Sequence, residues 1–335
     1  MKRILYPFVG DSVGGSHIST IITIKNLDKK RFIYDVVLEE NGVLAKVLKK
    51  NNIDYHLLNT KENCNFIFSF FKRFIFLRHV KPDIVHTNDI RMHHKWTFVC
   101  FINNTSHVWH QHTFFNSRKN RFYSFFAKKI ITISKFCSQS FSKKINKKIE
   151  IITNPFESNN FKSFNNSSKN FLKKKLGFKL KDKIIIFIGE DNYQKRFDFF
   201  ISLANDLSKK NKHLKFIIFL KKLKKKQKFK KNFKFFFEHY DTTNYLKISD
   251  ILVSPAVNEG FGRVLVEASL TKTLVIASKS GGHKEIIKEN FNGFLVEKDS
   301  YEKFINKIIY SLKNLEKNEI QNIIKTAFIF SKKKI

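Results

Sequence analysis

Cysteine, proline and glycine are scarce in this sequence of 335 residues, with three, four and eleven copies. The cysteines, Cys64, Cys100 and Cys137, form no C-x-x-C pair, which argues against a disulfide scaffold and a cysteine-based zinc site. No stretch of 18 apolar residues occurs, so no membrane-spanning helix is expected. The apolar run at residues 4–9 is too short for a signal peptide and contains Pro7, so it predicts a first strand. These absences favour a soluble, intracellular protein.

Acidic residues are also in short supply, since 28 Asp and Glu stand against 64 Lys and Arg, for a net charge of +36. Only nine of the basic residues are arginine, whereas nucleic-acid sites favour arginine for its planar, bidentate fork. Nucleic acid is therefore the least favoured partner. Two explanations of the charge stay open: a compositional bias that enriches Lys, Phe, Ile and Asn together, and attraction to an anionic membrane surface.

Apolar residues are plentiful, at 42% with 39 Phe, which excludes a disordered chain and suffices for a large core. Strand-like and helix-like segments alternate along the chain, which predicts an α/β fold with mostly parallel sheets covered on both faces. The predicted strands span residues 2–9, 34–38, 53–58, 84–86, 107–110 and 130–134, then 183–189, 214–220, 233–238, 251–254, 274–277 and 293–296. The predicted helices include residues 16–27, 44–51, 66–80, 197–210 and 262–271.

A polar segment rich in Asn, Ser and Lys separates two halves that share this alternation. We therefore expect an N-terminal domain at residues 1–156, a linker at 157–170, a C-terminal domain at 171–325 and a tail at 326–335. Two Rossmann-like domains facing a central cleft would bring the carboxyl ends of their strands to that cleft, where ligands bind in such sheets.

Two segments interrupt the alternation and suggest a membrane surface. Residues 66–77 are apolar with Lys72 and Arg73 in the middle, so they form either a core helix or an interfacial helix anchored by Phe66, Phe70 and Phe74. Residues 221–234 form a dense cationic run that is either a solvated loop or a second contact to anionic lipid. The membrane alternative predicts a cytoplasmic protein held on the inner face of the plasma membrane.

The sharpest chemical signal is a pair of glutamates, Glu259 and Glu267, separated by seven residues. Gly260, Phe261 and Gly262 follow the first glutamate, between a predicted strand and a predicted helix. A glycine turn that opens a helix exposes backbone N–H groups and a positive dipole end, which favour phosphate. Glu267 would then accept hydrogen bonds from a ribose, and Glu259 from a sugar hydroxyl. The combination predicts a nucleotide sugar as ligand.

This block, SPAVNEGFGRVLVEASL, resembles the E-x7-E signature of the retaining glycosyltransferases of family four, which have the GT-B fold of two Rossmann-like domains. Further matches are the GGS turn after the first strand, PDIVH, IITNP, the FIG segment before Lys195, and the segment from Gly281 to Val296. The resemblance implies an acceptor-side N-terminal domain and a donor-binding C-terminal domain. The donor-binding residues that it implies are Gly14, Gly15, Lys195, Arg196, Phe261, Gly262, Arg263, Val264 and Glu267.

The histidines are clustered as well, since seven of the twelve lie between His79 and His112. His110 and His112 alternate on a predicted strand and could bind zinc, but no acidic or cysteine partner accompanies them, so no metal is predicted. The family resemblance implies instead that His112 donates a hydrogen bond to the donor sugar. An ordinary surface role for the histidines stays open.

The resemblance implies a metal-independent, cofactor-free hexosyltransferase with retention of configuration. Its donor would be UDP- or GDP-linked and its acceptor a glycan or a lipid-linked glycan in envelope polysaccharide synthesis. Glu259 and His112 would act at the reacting sugar. Lys195 would stabilise the leaving diphosphate, together with Arg196 and the start of the helix at Gly262.

Two departures from the family pattern keep alternatives open. Glu190 stands where the family has an arginine, and the G-x-G-P turn after the next strand is replaced by Leu220 and the lysine run. One alternative is a catalytically weak nucleotide-sugar-binding subunit of an envelope-assembly complex. The other is a nucleotide-sugar epimerase of the same fold.

Overall fold

A computed structural model describes residues 1–60, 65–157, 161, 165–224, 229–238 and 241–332. The chain divides into two compact units, Met1–Phe156 and Glu157–Ile335.

The first unit is built on a sheet of seven strands within the described residues, in the order β3-β2-β1-β4-β5-β6-β7. Every neighbouring pair is parallel, from β1 against β2 to β6 against β7. The strands are β1 (Lys2–Phe8), β2 (Phe32–Leu38), β3 (His56–Leu57), β4 (Ile84–Thr87), β5 (Ser106–Gln111), β6 (Lys129–Thr132) and β7 (Ile149–Ile151). The helices are α1 (Gly15–Lys25), α2 (Val43–Lys50), α3 (Phe66–Val80), α4 (Ile90–Ile102), α5 (Arg118–Ser124) and α6 (Lys135–Ser138), followed by a 3-10 turn at Lys143–Lys148.

The second unit repeats this plan with a sheet of six described strands, all parallel, in the order β10-β9-β8-β11-β12-β13. Its strands are β8 (Lys183–Gly189), β9 (Leu214–Leu220), β10 (Phe233–Phe237), β11 (Ile251–Ser254), β12 (Leu274–Ser278) and β13 (Phe294–Val296). Its helices are α7 (Asn166–Lys175), α8 (Phe197–Lys210), α9 (Thr243–Ile248), α10 (Arg263–Leu270), α11 (His283–Ile286), α12 (Tyr301–Asn314) and α13 (Asn318–Lys332).

Burial on both faces explains the near-continuous apolar strands of the second unit. In β8, Ile184, Ile185, Ile186 and Phe187 are all buried, although successive side chains point to opposite faces of the sheet. The helices supply the covering layer, with Phe200 and Leu207 of α8 in the same core cluster as Phe187. The prediction of an α/β fold with two Rossmann-like, parallel-sheet domains is confirmed.

The differences from the predicted elements are local. Strand β3 covers only His56–Leu57 of the predicted 53–58, and β7 follows a 3-10 turn where no strand was predicted. Helix α7 begins at Asn166, inside the segment assigned to a linker, and α13 runs to Lys332, through most of the segment assigned to a tail. Neither helix contains glycine or proline, the two residues that most disfavour a helix, but the Asn and Ser residues at the start of α7 have the composition of a linker.

Helix α3 corrects the predicted membrane anchors. Arg73 is buried, and its guanidinium Nε donates to Glu39 Oε1 at 2.7 Å, so it faces the core of the unit and not its surface. Phe70 and Phe74 are partly buried against the same core, whereas Phe66 is exposed. The expectation for Arg73, Phe70 and Phe74 was therefore wrong, because helical spacing alone does not say which face packs on the sheet.

No helix in the described part of the chain is both long and apolar enough to cross a membrane. The cationic run at residues 221–234 lies partly outside the described residues, at positions 225–228.

Candidate functional site

The strand order places a switch point in the second sheet between β8 and β11, which are neighbours although their connections leave in opposite directions. Ligands of open parallel sheets bind at the carboxyl ends of strands at such a point. Two loops meet there: residues 190–196 after β8 and residues 255–262 after β11. Val257 N–H donates to Gln194 O at 2.8 Å, and Gln194 Nε2 donates to Asn258 O at 3.0 Å. The backbone of the two loops is thus fixed in one register.

Lys195 and Glu259 form an ion pair across these loops. Lys195 Nζ lies 2.6 Å from Glu259 Oε2, and the two side chains are 23% and 17% exposed. Burial would raise the pKa of the Glu259 carboxyl, but the charge and hydrogen bond of Lys195 outweigh it and lower the pKa. Glu259 is therefore ionised at neutral pH, and the pair is open enough for a ligand to reach.

Gly281 and Gly282 pack against the backbone of the loop that carries Glu259. Gly282 N–H donates to Glu259 O at 2.8 Å. A Cβ on Gly281 would lie 2.5 Å from Glu259 O, and one on Gly282 would lie 2.5 Å from Gly260 O, closer than real side chains approach backbone. Glycine is therefore required at positions 281 and 282, because their backbone lies directly against the backbone of Glu259 and Gly260.

Helix α10 begins directly after this loop. Gly262 has a left-handed φ of 96° and, as the N-cap residue, has no side chain to satisfy the N–H groups of the first turn. Arg263, Val264 and Glu267 lie on the less buried side of the helix, and Arg263 Nη2 lies 3.4 Å from Glu267 Oε1. Phe261 is only 2% exposed, so its ring packs inward and its backbone lies at the turn.

His283 was missed by the sequence-based prediction and is fully buried beside this turn. Its Nδ1 lies 3.0 Å from Ser278 O, and since a carbonyl only accepts, Nδ1 carries the proton and donates. Burial lowers the pKa of this histidine despite the opposing charge of Glu259, so the ring is neutral. Its Nε2 edge faces Gly262, where an added Cβ would lie 3.3 Å away. The signal in the sequence was the GGH triplet, but nothing there indicated where the ring points.

Arg196 is not brought to the Lys195–Glu259 pair. Its guanidinium donates to Lys298 O, lies 3.4 Å from Asp299 Oδ1 and stacks over the Phe199 ring at 4.3 Å. Arg196 caps α8 in a left-handed conformation that turns its side chain away from its neighbour Lys195. Glu190, at the end of β8, accepts a hydrogen bond from Asn192 Nδ2 at 3.1 Å.

The first unit has its own switch point between β1 and β4. Gly14 and Gly15 lie there, after β1, and Gly14 is the N-cap of α1. Gly14 N–H donates to His17 Nδ1 at 3.1 Å. Arg91 at the start of α4 grips Asp11 of the same loop with two bonds, of 2.6 and 3.0 Å.

The histidine cluster of the first unit is a buried, touching network. Thr87 Oγ1 lies 2.6 Å from His93 Nδ1 and 2.9 Å from His107 Nε2, and His86 Nε2 lies 3.3 Å from His110 Nδ1. Burial lowers the pKa of His86 to about 4 and that of His107 to about 3. Burial lowers the pKa of His93 and His110 as well, so these four histidines are neutral at physiological pH.

His112 lies at the outer end of this network, with its ring 4.1 Å from that of His110, just after β5 ends at Gln111. No group of three or more His, Cys, Asp or Glu side chains that could hold a metal occurs among the residues that the structure describes.

The greater part of the second unit matches a known protein family. Residues 168–327 match the family described as "Glycosyl transferases group 1". The matched segment is a group 1 glycosyltransferase domain. It contains Lys195, Glu259 and Glu267, together with the α10 turn and the glycine pair.

Two bacterial relatives are similar to parts of this chain. A UDP-Gal:alpha-D-GlcNAc-diphosphoundecaprenol alpha-1,3-galactosyltransferase of Escherichia coli is 36% identical over 69 residues, 21% of this chain. A lipopolysaccharide 1,2-N-acetylglucosaminetransferase of Salmonella typhimurium is 35% identical over 91 residues, 27% of this chain. These matches span only 18% and 24% of the two relatives, so the likeness is that of a segment.

Among solved structures, that of HepE from Anabaena in complex with UDP-glucose is similar over the whole chain. The TM-score is 0.85 at 19% identity, with 100% of this chain and 95% of that one covered. At this identity the likeness concerns the fold, which is that of GT-B glycosyltransferases.

The group 1 domain thus brings together Lys195, Glu259, Phe261, Gly262, Arg263, Val264 and Glu267 around the β8–β11 switch point. Gly14, Gly15 and His112 belong to the first unit, at the carboxyl ends of its strands. The predicted roles of all these residues stay predictions.

Proposed function

We propose that this protein is a retaining glycosyltransferase that moves a hexose-type sugar from a nucleotide-diphosphate donor to a glycan or lipid-linked acceptor. The observation that carries the proposal is the Lys195–Glu259 pair, at 2.6 Å, beside the glycine-capped N-terminus of α10 at the switch point of a group 1 domain. A lysine, a helix N-terminus and two carboxylates are the groups that a diphosphate linked to two sugars requires.

The donor's phosphates would lie against Lys195 and the first turn of α10, where the cationic side chain and the helix dipole both favour negative charge. Glu267, one turn further along, is 21% exposed and would accept hydrogen bonds from the ribose hydroxyls. Val264 and Arg263 share that side of the helix. UDP is the favoured nucleotide because the Escherichia coli relative is named for UDP-Gal and HepE was solved with UDP-glucose.

Donor binding would exchange the partners of the ion pair. Without donor, Lys195 and Glu259 neutralise one another. A diphosphate would attract Lys195, and Glu259 would then accept a hydrogen bond from the sugar in place of the ammonium group. The site would therefore present its carboxylate to the sugar only after the phosphates are bound, which orders the two contacts.

In the transfer step the bond between the anomeric carbon and the diphosphate oxygen breaks, and a bond from the acceptor oxygen forms on the same face. The electron pair of the broken bond leaves with the diphosphate, and the acceptor's hydroxyl proton passes to a phosphate oxygen. Lys195 and the α10 turn stabilise the charge that develops on the leaving group. We propose that this arrangement acts without a metal and that His112 contacts the sugar from the first unit.

One observation favours a second candidate, a nucleotide-sugar-binding protein with weak activity. Glu190 stands at the end of β8, where the related family has arginine, and Arg196 is engaged by Lys298 and Asp299. Lys195 would then be the only cation supplied to the diphosphate by the 190–196 loop.

The experiment is a thermal-shift titration of the purified protein with UDP and GDP, followed by incubation with UDP-hexoses. A nucleotide that binds the folded state raises the midpoint by mass action. We expect stabilisation by UDP and release of UDP from the donor. Stabilisation without any sugar release would favour the binding protein, an isomerised donor would favour an epimerase, and no stabilisation by either nucleotide would contradict both the proposal and the second candidate.

The reaction would take place in the cytoplasm, on the inner face of the plasma membrane, if the acceptor is lipid-linked.

A further inference from the structure

Helix α3 of the first unit exposes its apolar side to solvent. Five large apolar side chains are more than half exposed along about three turns: Phe66, Ile67, Phe68, Phe71 and Ile75, at 71%, 61%, 53%, 55% and 65%. Positions 67, 71 and 75 are spaced by four residues and therefore form one stripe on the helix. We call these five side chains the α3 face.

The opposite side of α3 packs on the core and buries Arg73 beside Leu77 and Val80. Arg73 is 3% exposed and is neutralised by Glu39, which Lys95 of α4 also contacts at 2.6 Å. The helix therefore has apolar residues on both sides: Leu77 and Val80 are buried, and the five side chains of the α3 face are exposed. The Arg73–Glu39 pair, with Leu77 and Val80, fixes which side of α3 faces the core, and the exposed stripe follows from it.

A groove borders α3 near the end of α4. It is lined mostly by polar residues, among them Lys81, Asp83 and Asn103, and none of the five side chains of the α3 face lines it. The apolar surface is the α3 face itself, and exposed apolar surface of this kind marks an interaction site in soluble proteins.

The charge around this surface selects the partner. The helices α3, α4 and α5 contain no Asp or Glu, and the sequence has none from position 90 to position 149. Lys72 lies 4.8 Å above the Phe68 ring and Arg78 lies 5.7 Å from the Phe74 ring, and neither has an acidic partner among the described residues. Cations interleaved with aromatic rings complement a surface that is anionic at its boundary and apolar beneath it.

We propose that the α3 face docks the protein on an anionic membrane, with α3 lying in the plane of the interface. Phe66, Phe71 and Ile75 would enter the boundary between headgroups and acyl chains, while Lys72 and Arg78 contact lipid phosphates. This surface is independent of the donor chemistry. Only the further step, that a lipid-linked acceptor is presented there, rests on the proposed function.

The test is co-sedimentation with phosphatidylglycerol and phosphatidylcholine vesicles. The Phe71→Gln/Ile75→Gln double variant is compared with Phe171→Gln/Ile329→Gln, which removes two exposed apolar side chains of the second unit. We expect the wild type and the control to bind phosphatidylglycerol, and the α3 variant to lose about tenfold or more of its partitioning.

The charge is tested by Lys72→Gln/Arg78→Gln against Lys174→Gln/Lys303→Gln, whose lysines are exposed in the second unit. The first pair should lower partitioning by about tenfold and the second should not, with all binding weakening as salt rises. Equal losses in both pairs would overturn the α3 face as the docking site, because net charge alone would then explain binding.

Two readouts separate the other outcomes. Sedimentation velocity without vesicles tests whether a second copy of the chain covers the α3 face. The proposal would be overturned if the wild type were a dimer that did not bind vesicles and the Phe71→Gln/Ile75→Gln variant were a monomer. UDP stabilisation, measured on the same samples, should be unchanged in the α3 variants. Vesicle binding without UDP binding would support the docking surface and contradict the proposed function. UDP binding without vesicle binding would contradict the docking surface and leave the proposed function intact.

Discussion

Two carboxylates, Glu39 in the first unit and Glu259 in the second, are both paired with lysines at 2.6 Å but have opposite surroundings. Glu39 is 1% exposed, with Arg73 on one oxygen and Lys95 on the other. Glu259 bonds Lys195 through Oε2 and is 17% exposed, next to a glycine turn and an open helix start.

The difference teaches how to separate a structural ion pair from a site. At Glu39 each carboxylate oxygen has a cation and the pair joins α3, α4 and the loop after β2, so its removal leaves charge stranded in a core. At Glu259 the partner is a single flexible lysine that a ligand can take over. The first pair should therefore govern stability, and the second should govern binding and transfer.

The largest expected effect is on stability, from Glu39→Gln. This change leaves the buried Arg73 without a counter-charge, and breaking such a pair costs about 3–5 kcal/mol. Urea unfolding followed by the fluorescence of Trp96 and Trp109, both in the first unit, measures the free energy of unfolding. Glu297→Gln, which removes an exposed ion pair with Lys279, is the control and should be close to neutral. A Glu39→Gln protein as stable as the wild type would contradict the structural role of the Glu39 ion pair.

The next effect is on transfer, from Glu259→Ala. We expect sugar transfer to fall by about 100-fold, equivalent to about 2.7 kcal/mol, because a contact to the reacting sugar is lost. UDP affinity should change much less, since UDP has no such sugar. Transfer rates and UDP titrations on one preparation decide it, and equal losses in the two assays would show that Glu259 does not contact the sugar.

Acid is expected to lower the stability of the first unit more than that of the second. The pKa of His107 is lowered to about 3 by burial, so below its ordinary 6.5 the unfolded chain takes up a proton that the folded one refuses, and stability falls. This amounts to about 2 kcal/mol at pH 5 for one such histidine, and His86 acts in the same direction.

Glu259 affects stability over a different, lower pH range. Its lowered pKa gives stability that is present above its ordinary 4.5 and is lost only as the pH falls below that value. The second unit also contains a buried histidine with a lowered pKa, His283, so it loses some stability over the range from about pH 6.5 to 5. The first unit should lose more, because burial lowers the pKa of His86 and His107 there, and of His93 as well. Tryptophan fluorescence measures the first loss, and UDP binding during unfolding measures the second. Parallel losses would contradict the buried, neutral histidine network.

The smallest effect is expected from Glu267→Gln. The amide keeps the shape but loses charge-assisted hydrogen bonds to the ribose, so UDP affinity should fall by about tenfold. Calorimetric titration measures it, and Glu302→Gln at the exposed start of α12 is the matched control. An unchanged affinity would remove Glu267 from the site.

Much of the second unit follows from its sequence. The strands β8, β9 and β11 occupy the predicted residues because uninterrupted apolar runs are typical of strands buried on both faces. Helix α8 does so because its buried residues, such as Phe200, Leu203 and Leu207, recur at helical spacing. The loop from Glu259 to Gly262 was identifiable because glycines stand between a strand and an amphipathic helix.

Contacts between distant residues were not predictable. Arg73 was expected at the surface because it is charged. Its buried partner, Glu39, lies 34 positions away in the sequence, and periodicity does not reveal such a pairing. The same holds for Lys195 with Glu259, 64 positions apart, and for the turning of Arg196 toward Lys298. Local sequence specifies elements, whereas the direction of a charged side chain depends on which elements pack together.

The central claim is that Lys195 exchanges Glu259 for a donor diphosphate, and UDP titration of Lys195→Gln tests it most directly. Lys279→Gln is the control, because Lys279 also pairs with a glutamate in the same unit, at 3.1 Å, but on the surface. The account predicts that Lys195→Gln loses about tenfold or more in UDP affinity while Lys279→Gln binds as wild type does. Equal UDP affinities in the wild type and both variants would contradict it.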